Sequence, residues 1–391
     1  MVDGDIFEER AVVVNRPERN YLLLESEDGR FASFNGNRLA CTSEADDSTV
    51  WDRHGRNELI HVETGTVVNK VSSSTSSKFT LSFPSKLELN SEDLVSVEFE
   101  ETHGPAELPS VYLKHLKEDG WVCLPCILDS KIVEGLELVA CTDRYEGRTR
   151  VRAHAIAQHV AVAKTAAEPL SLWLIRQYMG IPDIRLSHAP AMAVLYKDDG
   201  QRDVQGWHSD FPYHWGTGVR GQVPTPTRET VLGVQRNVCV SDFTKERGAT
   251  AFKLGSHALD RPPPREWGQA QTYRRGYRAQ HGLPYTGPDA DVVEAPGGSI
   301  ILYDSRTWHR AGVNRTDHPR AAMLQAMTPM YVFPKNDTSM AFKAYRESEA
   351  FAQSNERERM EIQQLMVHEF TGPGGEFAIG PDQELTESLR T

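Results

Sequence analysis

The sequence predicts a mainly β fold with flanking helices, in which a jelly-roll core follows a small N-terminal all-β module. Three observations carry this prediction. Residues 1–105 are rich in strand signals, short strand-like runs joined by Gly- and Pro-rich connections fill 191–330, and helical spacing is concentrated between the two. Short strands with such connections favour a double-sheet jelly roll over parallel βαβ units.

The N-terminal module, residues 1–105, is predicted from two hairpins. Residues 21–24 and 30–34 flank a Ser-Glu-Asp-Gly turn, and residues 59–62 and 64–68 form a second pair of strand-like runs. A small β-rich module therefore precedes the predicted core.

The predicted jelly-roll domain, residues 106–335, begins with helices and continues with strands. Helices are expected at 111–116, 132–139, 151–163 and 170–178. Strands are expected at 191–196, 231–240, 250–254, 292–295, 299–303 and 321–327. Residues 261–291 form a long loop, which is typical of lids and binding loops. Residues 336–391 are predicted to form a C-terminal helix and a tail.

Apolar run length, the N-terminal pattern and net charge argue against a membrane protein, a secreted protein and a nucleic-acid-binding protein. No apolar run reaches the roughly 18 residues that a membrane helix needs, and the acidic N-terminus lacks a secretory pattern. We therefore expect a cytoplasmic protein without a membrane partner. The net charge of −12 argues against nucleic-acid binding, which depends on neutralising phosphates.

One segment departs from this acidic balance. The chain between Arg261 and Arg278 holds five arginines against a single acidic residue, Glu266. It is interpreted either as a solvated loop or as a loop that attracts an anionic substrate. The arginines are Arg261, Arg265, Arg274, Arg275 and Arg278.

A His-x-acid motif occurs twice, at His61-Val-Glu63 and at His208-Ser-Asp210. The chain has 14 His and 55 acidic residues, so about two matches are expected by chance, and the motif needs context. Alternate residues of an extended chain point to one side, so His208 and Asp210 can converge on one ion. His309 follows the apolar strand 299–303 and is the best candidate for a third ligand. Two imidazoles and one carboxylate leave three coordination positions of the metal ion open, which suits non-haem Fe(II).

Arg320 lies eleven residues beyond His309 and opens the last predicted strand. A guanidinium group holds a carboxylate through two parallel hydrogen bonds. We expect Arg320 to bind the far carboxylate of 2-oxoglutarate, while the keto-acid end of this cosubstrate chelates the iron.

These residues resemble the phytanoyl-CoA dioxygenase family from about residue 108 to residue 330. The resemblance implies a double-stranded β-helix, cupin-like fold, with His208, Asp210 and His309 as catalytic iron ligands and Arg320 as the anchor of 2-oxoglutarate. The Trp-His-Ser-Asp-Phe run is also similar to ectoine hydroxylases, a branch of the family. The motifs are Leu116-Lys-Glu-Asp-Gly-Trp-Val122, Gly206-Trp-His-Ser-Asp-Phe211, Gly248-Ala-Thr-Ala-Phe-Lys-Leu-Gly-Ser-His257 and Pro296-Gly-Gly-Ser-Ile-Ile-Leu-Tyr-Asp304.

Two positions depart from the family pattern. Relatives often carry a hydroxyl two residues after the second histidine, where this chain has Ala311, and some carry a Gln before the first ligand, where it has 191–195. The cosubstrate therefore needs other polar partners, and Thr250 and Asn237 are the candidates.

The function implied is an Fe(II)- and 2-oxoglutarate-dependent dioxygenase, a hydroxylase or related oxidase of biosynthesis. It would use O2 to oxidise a C–H bond of a small organic metabolite, releasing succinate and CO2. The aromatic group near the first ligand is either a substrate wall or ordinary packing. Two other functions stay open: a degenerate jelly-roll binding module, and a metal-dependent hydrolase with the same ligands. The aromatic group comprises Trp207, Phe211, Tyr213, His214 and Trp215.

Overall fold

The computed structural model describes residues 10–14, 21–36, 38–72, 77–82, 97–213, 229–259, 261–264, 267, 275–276, 290–366, 370–372 and 375–377. Within these ranges no helix is long and apolar enough to cross a membrane.

The N-terminal part forms an eight-stranded antiparallel sheet in the order β4-β3-β2-β5-β6-β7-β8-β9, and β2 also pairs with β9. Six of these strands, β2 and β5 to β9, therefore close into a ring. The strands are β2 (Leu22–Ser26), β3 (Phe31–Phe34), β4 (Leu39–Thr42), β5 (Trp51–Arg53), β6 (Glu58–His61), β7 (Val67–Ser72), β8 (Phe79–Ser82) and β9 (Phe99–His103).

Both predicted hairpins are present, as the pairs β2–β3 and β6–β7. Gly29 has a φ of +76°, which few other residues adopt, and it allows the tight turn between β2 and β3. Along β2, Leu22 and Leu24 pack inside the ring with Trp51, whereas Leu23 packs with the helical layer of the neighbouring domain. The N-terminal module is thus joined to the rest of the chain by apolar packing.

The jelly-roll core consists of two sheets. The major sheet is antiparallel, in the order β10-β16-β13-β18-β11, with β12 also paired to β18. Its strands are β10 (Trp121–Leu124), β11 (Ile184–Leu186), β12 (Ala191–Leu195), β13 (Val234–Cys239), β16 (Ile300–Asp304) and β18 (Arg320–Pro329). The minor sheet has the order β1-β15-β14-β17, with strands β1 (Arg10–Val13), β14 (Ala251–Lys253), β15 (Asp291–Glu294) and β17 (Trp308–Arg310).

Alternation along β16 explains how the two layers meet. Ile301 and Tyr303 belong to an apolar cluster with Phe252 and Val292 of the minor sheet. Ile300 and Leu302, which alternate with them along the strand, pack instead against the helices. The major sheet is therefore covered on both faces, by the minor sheet and by helices.

Strand β1 comes before the N-terminal ring in the sequence, yet it pairs in parallel with β15 at the edge of the minor sheet. Arg10 Nη2 lies 3.0 Å from Asp291 Oδ1 across this pairing. Sequence patterns did not predict that the start of the chain would extend the jelly roll.

Helices flank the major sheet, and two predicted helices prove to be divided. The expected helix at 151–163 is two helices, because His159 is extended and its Nδ1 caps the second one at Ala161 N. The expected C-terminal helix is divided into three helices, because Ser348 and Asn355 are the N-caps of the second and the third. The helices are α1 (Pro109–Asp119), α2 (Ser130–Ala140), α3 (Ala155–Gln158), α4 (Val160–Ala166), α5 (Pro169–Met179), α6 (Ser339–Arg346), α7 (Glu349–Gln353) and α8 (Glu356–Leu365).

The remaining described elements are short. Three 3-10 helices span Asp47–Thr49, Asp143–Tyr145 and Ser256–Leu259, and a terminal hairpin is formed by β19 (Phe370–Gly372) and β20 (Gly375–Phe377).

Candidate active site

Two stretches that are distant in the sequence meet at a bridge between His208 and His309. Each backbone N–H donates to the carbonyl of the other residue, at 3.0 Å in both directions, and the ring centroids lie 4.3 Å apart. The backbone N–H of Asp210 donates to Ser305 O at 2.8 Å, in the turn before β17. The first two predicted ligands are thereby held against the strand that carries the third.

The side chains of His208, Asp210 and His309 offer ligand atoms that all lie within 4.8 Å of one another. His309 Nε2 is 3.1 Å from Asp210 Oδ2, and His208 Nε2 is 3.8 Å from Asp210 Oδ1. Among the described residues, these three form the one such group of His, Cys, Asp or Glu that could hold a metal ion.

Backbone carbonyls orient both imidazoles. His208 Nδ1 lies 2.8 Å from Gly206 O, and His309 Nδ1 lies 3.0 Å from Thr307 O. A carbonyl oxygen only accepts hydrogen bonds, so each Nδ1 carries the proton and each Nε2 faces the third ligand. This is the arrangement in which a metal-binding histidine presents its free lone pair to the ion. The donor set fits a divalent transition metal.

The charge state of the cluster suits a cation. Burial acts to raise the pKa of Asp210, but the neighbouring His309 and His208 outweigh it and hold that pKa below its ordinary value. Conversely, burial acts to lower the pKa of His309, and the Asp210 carboxylate raises it. Asp210 is therefore an ionised carboxylate at neutral pH, ready to coordinate an ion.

The cluster opens into a cavity of about 440 Å³ that Arg320 also lines. Arg320 donates from Nε and Nη2 to Gly248 O, at 3.2 and 2.8 Å, and its guanidinium lies over the Phe243 ring at 4.6 Å. Burial lowers the pKa of Arg320 to about 10, so it stays cationic at neutral pH. Thr250 and Asn237 line the same cavity. The structure thus brings together all six residues that the sequence suggested for metal and cosubstrate.

Further polar side chains line the cavity that sequence patterns did not single out. Tyr303 could have been found, because it shares the inward face of β16 with Ile301. Lys335 lies in the loop after β18, where no periodic signal exists. The additional polar residues are His188, Gln205, Gln235, Tyr303, Arg310 and Lys335.

The aromatic residues near the first ligand mostly serve packing. Trp207 and Tyr213 are fully buried, and neither lines the cavity. Trp207 contacts the ring of Trp267, and the Tyr213 hydroxyl accepts a hydrogen bond from Leu232 N at 3.2 Å. Of the two interpretations, these positions fit ordinary packing, because the Trp207 and Tyr213 rings are buried and lie outside the cavity lining. Phe211 is half-buried and also absent from the cavity lining, while His214 and Trp215 lie outside the described residues.

Parts of the Arg-rich loop lie close to the strand that carries His309. Trp308 Nε1 donates to Arg261 O at 3.0 Å, and the Arg261 guanidinium lies 5.8 Å from the Trp308 ring. Arg275 N donates to Asp203 Oδ1 at 2.8 Å. Three other arginines of the loop lie outside the described residues: Arg265, Arg274 and Arg278.

Part of the chain is similar to known proteins. Residues 142–322 match the model of the family described as phytanoyl-CoA dioxygenase (PhyH), and this segment contains the three clustered ligands and Arg320. The protein "Dioxygenase cdmA" of Talaromyces verruculosus is 23% identical over 248 residues, which cover 58% of this chain and 74% of that protein.

Two solved structures show a more distant likeness. HygX from Streptomyces hygroscopicus, with nickel, 2-oxoglutarate and hygromycin B bound, is 19% identical with a TM-score of 0.41, covering 57% of this chain and 88% of that chain. The epimerase SnoN, in complex with Fe3+, alpha ketoglutarate and nogalamycin RO, is 20% identical with a TM-score of 0.38. The match covers 56% of this chain and 83% of that chain. The two sheets of the core confirm the predicted jelly-roll fold class, and the cluster of His208, Asp210 and His309 fits the predicted iron cofactor. The segment 142–322 is similar to the phytanoyl-CoA dioxygenase family, and the protein is an enzyme of the non-haem iron, 2-oxoglutarate-dependent class.

Proposed function

We propose that this protein oxidises a C–H bond of a small organic metabolite, most simply by hydroxylation, with conversion of 2-oxoglutarate and O2 into succinate and CO2. The observation that carries the proposal is the shared cavity of His208, Asp210, His309 and Arg320. Bound Fe(II) would supply the activation of O2 that this chemistry needs.

The three ligands would hold the iron through the two Nε2 atoms and the Asp210 carboxylate. Their Nδ1–H groups are already held by backbone carbonyls, so little reorganisation is needed on binding. His208 and His309 are buried, which would limit the contact of the reacting centre with bulk water.

Arg320 would bind the far carboxylate of 2-oxoglutarate. Its Nε and Nη2 are held by Gly248 O, which fixes the plane of the guanidinium and leaves donors on Nη1 and Nη2 for the ligand. Thr250 and Asn237 lie on the same cavity wall and are proposed as further polar partners, in place of the hydroxyl that Ala311 lacks.

We further propose that the substrate is anionic. The cavity volume of about 440 Å³ is typical of small-molecule sites, which measure roughly 300–1,000 Å³. Arg310, Arg320 and Lys335 line it, whereas Asp210 is its one acidic residue among those described. Fe(II) and 2-oxoglutarate cancel each other's charge, so the positive excess of the cavity remains for the substrate. The exposed Lys335 is the group nearest to solvent that would attract it.

The test is a screen for succinate release with a metabolite library that includes acids and their matching amides. Hits are then examined by mass spectrometry for the gain of one oxygen atom. We expect turnover with acids over amides, and none with the Asp210→Ala variant. Absence of succinate under every condition would favour a binding module, and purification with zinc together with hydrolysis would favour a hydrolase.

The domain boundaries at 1–105, 106–335 and 336–391, the biosynthetic role and the cytoplasmic location remain proposals of the same kind.

A further inference from the structure

A tryptophan precedes each of the two candidate histidine ligands: Trp207 comes before His208, and Trp308 comes before His309. Neighbouring side chains of an extended chain point to opposite sides. His208 and His309 line the cavity, whereas both indole rings lie in a separate apolar cluster and are 0% and 2% exposed. The packing of these two rings therefore restricts how each histidine-bearing segment can rotate about its own axis.

Trp267, in the Arg-rich loop between Arg261 and Arg278, contacts both of these rings. Its centroid lies 6.2 Å from that of Trp207 with an interplanar angle of 60°, and 5.5 Å from that of Trp308 with an angle of 78°. Both contacts are edge-to-face, an arrangement that aromatic pairs favour at centroid distances of about 4.5–7 Å. Trp267 is half-buried and packs against the same apolar cluster. One side chain of the loop thus supports both histidine-bearing segments from behind.

Two hydrogen bonds attach other described parts of the loop to the same segments. Trp308 Nε1 donates to Arg261 O at 3.0 Å, close to the start of the loop. Arg275 N donates at 2.8 Å to Oδ1 of Asp203, which precedes His208 by five residues. The loop is therefore held against the chain before His208 and against the strand that carries His309, with Trp267 in contact with both.

We infer that Trp267 is a positioning residue, which acts through Trp207 and Trp308 to hold His208 and His309 in the orientation that metal binding needs. This inference rests on the proposed metal site. A binding constellation works only when its groups stay within about 0.5 Å of the productive geometry, and packing around the ligand residues maintains that geometry. The Arg-rich loop then contributes to the metal centre without supplying a ligand.

The first experiment measures Co(II) binding to the full-length, metal-free protein by calorimetry and by the visible absorption of the bound ion. Residues that hold metal ligands in place typically account for about 10- to 100-fold in affinity, so we expect Trp267→Ala to bind Co(II) at least about 10-fold more weakly, with an altered spectrum. Trp267→Phe keeps an aromatic ring and should restore most of the affinity and the spectrum. Trp267→Leu keeps apolar volume without a ring, and it should show the weakened binding even if Trp267→Ala fails to fold.

Trp173→Ala is the matched control, because Trp173 is also half-buried but lies on α5 and packs against the main apolar core. It should bind Co(II) like the wild type. A double-mutant cycle with Trp308→Ala then tests the route of the effect. If Trp267 acts through Trp308, Trp267→Ala should weaken binding less when Trp308 is already alanine.

Three results would overturn the inference while leaving the metal site intact. They are wild-type affinity and spectrum in the Trp267 variants that fold, an equal loss of affinity in Trp173→Ala, and equal weakening by Trp267→Ala with and without Trp308. A wild-type protein that binds no Co(II) would overturn the proposed site as well.

Discussion

Arg306 and Asp304 form a buried ion pair within the turn between β16 and β17, with Nη2 2.7 Å from Oδ2. Tyr178 also donates to Asp304 Oδ2 at 2.8 Å. The carbonyls of this turn accept hydrogen bonds from Ser209 Oγ and from the backbone N–H of Asp210. One buried charge pair therefore shapes the turn that holds two parts of the candidate metal site together.

Removing one partner of this pair should be costly. Asp304→Ala leaves the Arg306 guanidinium buried without its carboxylate, and such changes typically destabilise a protein by about 3–5 kcal/mol. We expect a lower urea midpoint in equilibrium unfolding, and weaker Co(II) binding because the turn relaxes. Asp317→Ala is the control, since Asp317 pairs with Lys197 on the surface and is 84% exposed. If the two variants unfold alike, the ion pair does not stabilise the turn.

Metal binding should depend on one of the two His-x-acid motifs and not on the other. Asp210→Asn should lose most Fe(II) and Co(II) affinity, whereas Glu63→Gln should keep it. The reason is that His61 binds Ser48 O and Thr64 Oγ1 through its two nitrogens, which leaves no lone pair for an ion. A metal at about 100 times its dissociation constant should stabilise the wild type by about 2.7 kcal/mol, measured by thermal unfolding with and without a chelator. Equal stabilisation of Asp210→Asn would contradict the assignment.

Cosubstrate affinity should depend on Arg320. Truncating one partner of a buried charge pair costs about 2 kcal/mol or more, so Arg320→Ala should raise the KM for 2-oxoglutarate at least ~30-fold. The KM of Arg320→Lys should lie between those of the wild type and Arg320→Ala, because an ammonium group keeps the charge but lacks the planar pair of donors. Co(II) affinity measured without 2-oxoglutarate serves as the control and should hardly change. An unaltered KM would show that another group binds the carboxylate.

The junction between the N-terminal ring and the helices should respond to pH through Glu25. Burial is the main cause that raises the pKa of Glu25, which lies near Arg357 and bonds Asn355. The pKa of Glu25 is higher in the folded state than in the unfolded state, so protonation of Glu25 stabilises the fold. This stabilisation is complete at a pH below the unfolded-state pKa, and it is lost as the pH rises through the folded-state pKa. Glu25→Gln should therefore melt at a higher temperature than the wild type at neutral pH, and like it below about pH 4. The exposed Glu27→Gln should track the wild type throughout, and a similar gain there would refute the assignment.

Local patterns in the sequence determined much of this architecture. Short strand-like runs joined by Gly- and Pro-rich connections predicted the jelly-roll strands, because such runs favour extended backbone between turns. The His208-Ser-Asp210 spacing, the apolar strand before His309 and the distance to Arg320 identified the residues that the fold brings into one cavity. Each of these signals spans only a few residues, which is why it can be recognised without the tertiary structure.

Tertiary structure decided everything that depends on contacts across long sequence separations. The fold gives His61 and His208 different surroundings, because it encloses the first in the ring of the N-terminal module and brings the second against His309. It also placed β1 beside β15 and left Trp207 in the packing behind the site. The same residue type can pack, ligate or bind substrate, and its surroundings decide which. Those surroundings come from strands that pair only when the whole chain has folded.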